Sequence, residues 1–135
     1  MFRYFFFSLL ILCLACKNKI APSELYLLNG YWSIDFITHK NETFYPVGPN
    51  KLIDFYEIND RVGVRKKTQP QLNNKFLVTE DFNNFKIKFI NENCYLSFQT
   101  VWDQWEEKIV KLNQNKLVLE HQEKRYHYKR FEYTN

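Results

Sequence analysis

The sequence predicts an all-β, antiparallel fold of about eight or nine strands. Three observations carry this. Apolar and polar residues alternate through the second half, as where Phe85, Ile87 and Phe89 are interleaved with Lys86 and Lys88. The runs are joined by short polar turns, and no stretch has the period of a long helix. Aromatics make up 19% of the chain, with thirteen Phe and nine Tyr, while Gly occurs only three times. Such residues fit the half-buried faces of strands. Short-connected antiparallel chains either pack as sandwiches or close as barrels.

The first element is not part of the fold. Arg3 precedes an apolar run of Phe5, Phe6, Phe7, Leu9, Leu10, Ile11 and Leu12. A spanning helix needs roughly 20 residues, and this run is about half that. A basic start, a short apolar centre and a small-residue exit fit a cleaved signal. Leu12-Cys13-Leu14-Ala15-Cys16 then resembles the lipobox of bacterial lipoproteins, with Ala15 before an acylated Cys16 and Cys13 where Leu is usual. The resemblance implies a signal-peptide helix over residues 1–15, lipidated Cys16 and a stalk over 16–24, and a folded domain over 25–135. It also implies a membrane partner through several acyl chains, since one chain holds weakly. The expected location is the cell envelope, the outer membrane in preference to the inner. Pro22 argues against helix in the stalk, where Lys17 and Lys19 either meet anionic headgroups or solubilise the chain. Once Cys13 leaves with the signal and Cys16 is acylated, only Cys94 remains, so no intrachain disulfide is expected. Cys94 alternates with Leu96 and Phe98 and reads as a small buried residue.

About 120 mature residues make one domain. The net charge of +4 has both signs interspersed, which does not support nucleic-acid binding. Arg65-Lys66-Lys67, the longest basic run, reads as a solvated strand end.

Ser23 to Leu28 forms a helical turn leading in. Gly30-Tyr31-Trp32 opens the first strand, which continues through Ile34, Phe36 and Thr38. Thr43 to Asn50, with two Pro and one Gly, is a loop. Lys51–Ile58 and Arg61–Thr68 pair across Asn59-Asp60. A loop over 69–74 leads to a strand from Lys75 to Glu80. A turn at Glu92-Asn93 places Phe85, Ile87 and Phe89 opposite Thr100, Phe98 and Leu96. Val110 and Leu112 face Leu119 and Leu117. A turn at Glu123-Lys124 pairs Leu119 with Tyr128, His121 with Tyr126 and Leu117 with Arg130, with one face apolar and the other charged. A tight turn at Asp103-Gln104 conflicts with Val110 pointing inward, so a β-bulge or a three-residue loop is expected between Trp102 and Lys108.

Gly30-x-Trp32 after a short leading segment, together with Leu117-x-Leu119 and Tyr126-x-Tyr128-x-Arg130 at the end, resembles lipocalins and the lipocalin-like domains of bacterial lipoproteins. That resemblance selects a small up-and-down β-barrel over a sandwich. It implies barrel closure by Arg130 packing over Trp32, a contact that is physically sound because a guanidinium is attracted to an indole face. It also implies a large loop over the open end and an interior lined by Trp32, Phe36, Ile87, Phe89, Phe98, Tyr126 and Tyr128.

No nucleophile elbow, phosphate loop or metal-ligand spacing is present. His39, His121 and His127 share no metal-binding spacing, so neither a metal nor a cofactor is expected. Asp103, Glu106 and Glu107 beside Trp102 and Trp105 read as a hairpin end with a cross-strand Trp pair rather than a carbohydrate platform. The expected function is non-enzymatic: an anchored lipoprotein holding a small apolar ligand. The alternative is an assembly subunit with a filled barrel that binds an envelope protein through its loops. An eight-stranded interior is either filled or holds one small ligand, and an apolar pocket above about 300 Å³ separates the two.

Overall fold

The computed structural model describes residues 19–48 and 52–132. The signal segment and Cys16 lie outside the described residues. A 3-10 turn, Pro22–Leu28, leads into nine strands: β1 (Gly30–His39), β2 (Glu42–Phe44), β3 (Ile53–Asn59), β4 (Val62–Pro70), β5 (Phe76–Ile90), β6 (Asn93–Gln99), β7 (Gln104–Leu112), β8 (Lys116–His121) and β9 (Lys124–Arg130). Every pairing is antiparallel, sequential strands are neighbours from β3 to β9, and β9 returns to pair with β1. Eight strands therefore close a barrel, and β2 folds back as a short ninth strand on β1. Among the described residues no helix is long and apolar enough to cross a membrane.

The N-terminal lead differs from the expected stalk. Pro22 occupies the first turn of the 3-10 segment, where its fixed φ and missing N–H cost nothing. Ile20, Leu25 and Leu28 are buried in the core, so packing begins before residue 25. Lys19 pairs with Glu92 at 2.8 Å. Thr43 and Phe44, expected in a loop, belong to β2.

Both predicted hairpin registers are off by two residues. The turn after β5 is centred on Asn91-Glu92, with φ of 49° and 69°, and pairs Phe85 with Phe98, Ile87 with Leu96 and Phe89 with Cys94. The last turn is Gln122-Glu123, with φ of 49° and 64°, and pairs Leu117 with Tyr128, Leu119 with Tyr126 and His121 with Lys124. A shift of two leaves each residue on its own face, so the inward set survives. Two consecutive left-handed residues match the strand twist, but only Gly or Asn announces them in sequence. Asn flanks Glu92 on both sides, and neither Gln122 nor Glu123 is such a residue. The β3–β4 turn likewise falls at Asp60-Arg61, with Asn59 opposite Val62.

The bulge expected between Trp102 and Lys108 lies at Val110 instead, where the β7–β8 register shifts between Ile109 and Lys111. Ile109 then faces Leu119 inside, and Val110 is the extra residue. A Thr100–Asp103 loop replaces the tight turn at Asp103-Gln104, closed by the Thr100 N–H donating to the Asp103 carbonyl at 2.8 Å. The strand from Lys75 and the one through Phe85 merge into β5 of 15 residues. Asp81, Asn83 and Asn84 look like loop residues, but β4 supplies the partner ladder, with Arg65 opposite Asn83 and Val64 opposite Asn84.

One end of the barrel is closed by a single cluster. The Arg130 guanidinium carbon lies 3.9 Å from the centre of the Trp32 ring. Its Nη1 donates to the Asn29 carbonyl and Nη2 to the Leu27 carbonyl, both at 2.6 Å, and Nε donates to the Gln114 carbonyl at 2.9 Å. Trp32 Nε1 donates to the Leu28 carbonyl at 2.9 Å. Gly30 has φ of +114°, and a Cβ there would sit 2.8 Å from Arg130 Nη1. The glycine is needed both for its backbone and for the room it leaves. Above this plug Tyr56, Phe85, Leu96, Phe98, Leu117 and Leu119 are buried and fill the interior.

We expect Arg130→Ala to destabilise the protein by on the order of 3 kcal/mol, through lost charged hydrogen bonds and the indole contact. Gly30→Ala should cost about 2 kcal/mol, because a side chain at that φ is strained. Urea denaturation of each variant measures both.

Candidate functional site

The half of the barrel opposite Arg130 is not filled. Its mouth opens onto a pocket of about 460 Å³ bordered by Ile34 and Ile37 from β1, Pro46, Val47 and Gly48 from the covering loop, Leu52, and Tyr126 and Tyr128 from β9. Asp54 and Lys67 are the polar residues at its edge. They face each other in register across β3 and β4. A side cleft between the β1–β2 hairpin and β9 shares Ile37 and Tyr126 with it.

The pocket owes its walls to a bulge. The β1–β9 register shifts between Ile34 and Phe36, so the alternation of β1 slips by one residue at Asp35. Ile34 opposes Tyr128 and Ile37 opposes Tyr126, and both isoleucines point inward. Phe36 opposes His127 on the outer face and stacks on its ring at 4.2 Å. The inward placement expected for Phe36 is therefore corrected, since strict alternation assumes an unbroken strand.

The other expected lining residues divide cleanly. Tyr126 and Tyr128 border the pocket. Trp32, Ile87 and Phe98 are inward but sealed in the packed core, so they support the pocket from below without facing it. Phe89 is half-buried, with the Arg61 guanidinium 5.0 Å from its ring centre.

Between core and mouth lies a layer of buried charge. Arg65 donates from Nη1 to Glu107 Oε2 at 2.8 Å and to the Tyr56 hydroxyl at 3.4 Å. The side chains of Arg65 and Glu107 are only 11% and 12% exposed. Arg65 sits 4.2 Å from the Phe98 ring centre, and Phe98 stacks on Trp105 at 5.1 Å. Trp105 Nε1 donates to Glu107 Oε1 at 3.2 Å. Closer to the mouth, Lys67 pairs with Asp54. Burial pushes the Tyr56 and Tyr128 phenols above their ordinary range, against the lowering pull of Arg65, so both stay protonated. Burial likewise pushes the Cys94 thiol up to about 11, which keeps it a thiol at neutral pH.

This layer was missed by sequence reasoning. Arg65 and Lys67 looked like a solvated run, but the two residues two apart point inward and only Lys66 between them points out. The signal was there as alternation: Asp54 and Tyr56 on one strand, Arg65 and Lys67 on its partner. Trp102 and Trp105 do not pair across strands, because Trp102 stands exposed on the Thr100–Asp103 loop while Trp105 turns inward. Among the described residues, no three of His, Cys, Asp and Glu come together as a metal site.

Removing one member of a buried pair strands the other's charge, at a cost of roughly 3 to 5 kcal/mol. Glu107→Leu alone should destabilise the protein by that order. Adding Arg65→Met should restore most of the loss, since apolar replacement of both is close to neutral. A double-mutant cycle in urea gives the coupling.

No protein-family model matches the sequence, and no curated protein matches it. Solved structures do. A lipocalin-like protein from Bacteroides uniformis superposes with a TM-score of 0.50 at 11% identity, over 78% of this chain and 99% of that one. A protein from Bacteroides eggerthii gives 0.48 at 8% identity, over 77% and 99%. Lobster apocrustacyanin A1 gives 0.45 at 12%, over 78% and 62%. At 11% identity the first likeness is one of fold. With eight antiparallel strands in up-and-down order and the last paired to the first, the chain has a lipocalin-like fold.

Proposed function

We propose that this chain is a lipid-anchored envelope protein that binds a small, mainly apolar ligand in the barrel mouth, without catalysis. The observation that carries the reading is the pocket of about 460 Å³ walled by Ile34, Ile37, Val47, Leu52, Tyr126 and Tyr128. It exceeds the roughly 300 Å³ at which small-molecule sites begin, in a barrel whose other half is solid. The two buried carboxylates each have a cation partner, Asp54 with Lys67 and Glu107 with Arg65, which favours holding a ligand over acid–base chemistry.

The anchor belongs to the same reading. Ile20 packs in the core and, with Cys94, Ile109 and the Glu92 turn, lines a shallow depression at the closed end. It follows Cys16 by four chain steps, a reach of at most about 14 Å. Acyl chains on Cys16 would hold the closed end against the membrane and turn the mouth away from it. The remaining possibility, a partner-binding subunit, draws support from Leu72, Val101 and Trp102, which stand fully exposed on loops around the mouth.

The ligand reading is tested by filling the pocket. Ile37→Trp should abolish binding of an apolar fluorescent probe such as anilinonaphthalene sulfonate while leaving the thermal midpoint within a few degrees. Equal probe binding by wild type and variant would shift the function to the loops. For the anchor, cells fed labelled palmitate should label the wild type and not Cys16→Ala; equal labelling would remove the tether.

A further inference from the structure

The sheet has one incomplete edge. β6 pairs with β5 only from Phe85 onward, so among the described residues the first half of β5, Phe76 to Phe82, has β4 alone as its strand neighbour. The direction of its backbone groups follows from two bonds. The Gln71 N–H donates to the Lys75 carbonyl and the Ile87 N–H to the Arg61 carbonyl, both at 2.8 Å. Bonded positions alternate along an antiparallel ladder. Counting forward from Lys75 and back from Ile87, Phe76, Val78 and Phe82 turn their N–H and C=O groups away from β4. Pro70, opposite Phe76, fits this, since it has no N–H to give. Leu77, Val78 and Phe82 are more than half exposed. Gln99 ends β6 at this gap, and the exposed Val101 and Trp102 follow it. The stretch is held in place. The Phe76 ring stacks on Tyr31 at 3.8 Å, and the Thr79 hydroxyl donates to the Lys67 carbonyl at 2.9 Å.

We propose that this edge is a docking site for an extended, basic segment of a partner protein, which adds a strand to β5 between Phe76 and Phe82. Strand addition takes its affinity from backbone bonds along an open edge and its choice of partner from the flanking side chains. The apolar side chains here are Leu77, Val78 and Phe82. The charge is negative. Between the Thr68–Val78 and Lys66–Phe82 pairs the register shifts, leaving Thr79, Glu80 and Asp81 opposite Lys67. Glu80 and Asp81 are exposed, and among the described residues neither has an ion-pair partner. Full overlap of two copies of this edge would bring both pairs of carboxylates together, and like charges across a strand pair destabilise it. A bulge and charges are the means by which open edges are kept from pairing with themselves. Lysine or arginine on an incoming strand meets the same carboxylates favourably. The site lies on the β5 edge and not in the mouth pocket, so it stands independently of the ligand reading.

Two short capped peptides serve as probes, one alternating Lys with Val and one alternating Glu with Val. In an NMR titration of the full chain at low salt, the Lys peptide should shift the amides of Phe76, Val78 and Phe82 and bind about tenfold more tightly than the Glu peptide. Raising the salt should narrow that ratio. Val78→Pro removes an edge N–H without touching the β4 ladder, a position where proline is tolerated, and should abolish binding. Val78→Ala, which keeps the N–H, should stay within about threefold of wild type. Glu80→Lys combined with Asp81→Lys should reverse the preference between the peptides, and decides the matter if Val78→Pro does not fold. Ile37→Trp should leave peptide binding unchanged. Failure of the Lys peptide to bind, equal binding of both peptides, or binding that survives in a folded Val78→Pro protein would overturn the proposal. So would a concentration-dependent dimer in sedimentation that Val78→Pro dissolves, which would make a second copy the occupant.

Discussion

The fold depends on one contact at the closed end, the Arg130 guanidinium lying over the Trp32 ring. It joins the last strand to the first, about a hundred residues apart in sequence. Its donors are shared among the carbonyls of Leu27, Asn29 and Gln114, so it also ties the leading 3-10 turn and the β7–β8 connection to the same point. A planar group with five donors can stack on an aromatic face and bond outward at its edges at once, which a lysine ammonium cannot. Gly30 follows from this, because any side chain there would meet the guanidinium. With that end sealed, open volume is left to the other.

The interior is graded along the barrel axis. Near Arg130 it is aromatic and aliphatic, with Trp32, Leu28 and Leu117 fully buried. Next comes the ionic layer of Arg65, Glu107 and the Tyr56 hydroxyl. Beyond it the Asp54–Lys67 pair opens into the mouth. Buried ion pairs contribute little net stability, because desolvation offsets attraction. Their value is in arrangement. Arg65 lies against Phe98 where Glu107 and the Tyr56 hydroxyl both accept from its Nη1, so the layer holds the strands β3, β4 and β7 in one relation and gives the pocket a polar floor.

The bulges shape the site as much as the residues do. A shift of one residue at Asp35 sends Phe36 outward and brings Ile37 to the wall. A second at Val110 lets Ile109 and Leu119 meet inside while Leu112 still faces Leu117. Each bulge reconciles two stretches whose alternations are out of phase, which a single straight strand could not do.

Sequence alone determined the class of fold and the antiparallel order, and its resemblance to lipocalins pointed to the closing pair of Trp32 and Arg130. Alternation is a local property, and Gly-x-Trp and Tyr-x-Tyr-x-Arg are short enough to read directly. It also placed the inward faces of β5, β6, β8 and β9, because an error of two residues in register does not change a face. Tertiary structure decided the rest. Gln122-Glu123 carries no residue that marks a left-handed turn, so only the paired strands locate it. Phe36 leaves the interior because β9 imposes a bulge on β1. Arg65 becomes buried and Lys67 turns inward only when Glu107 and Asp54 arrive from other strands to meet their charge. A charged residue in a strand is read as solvated unless its partner is known, and partners distant in sequence are supplied by barrel closure.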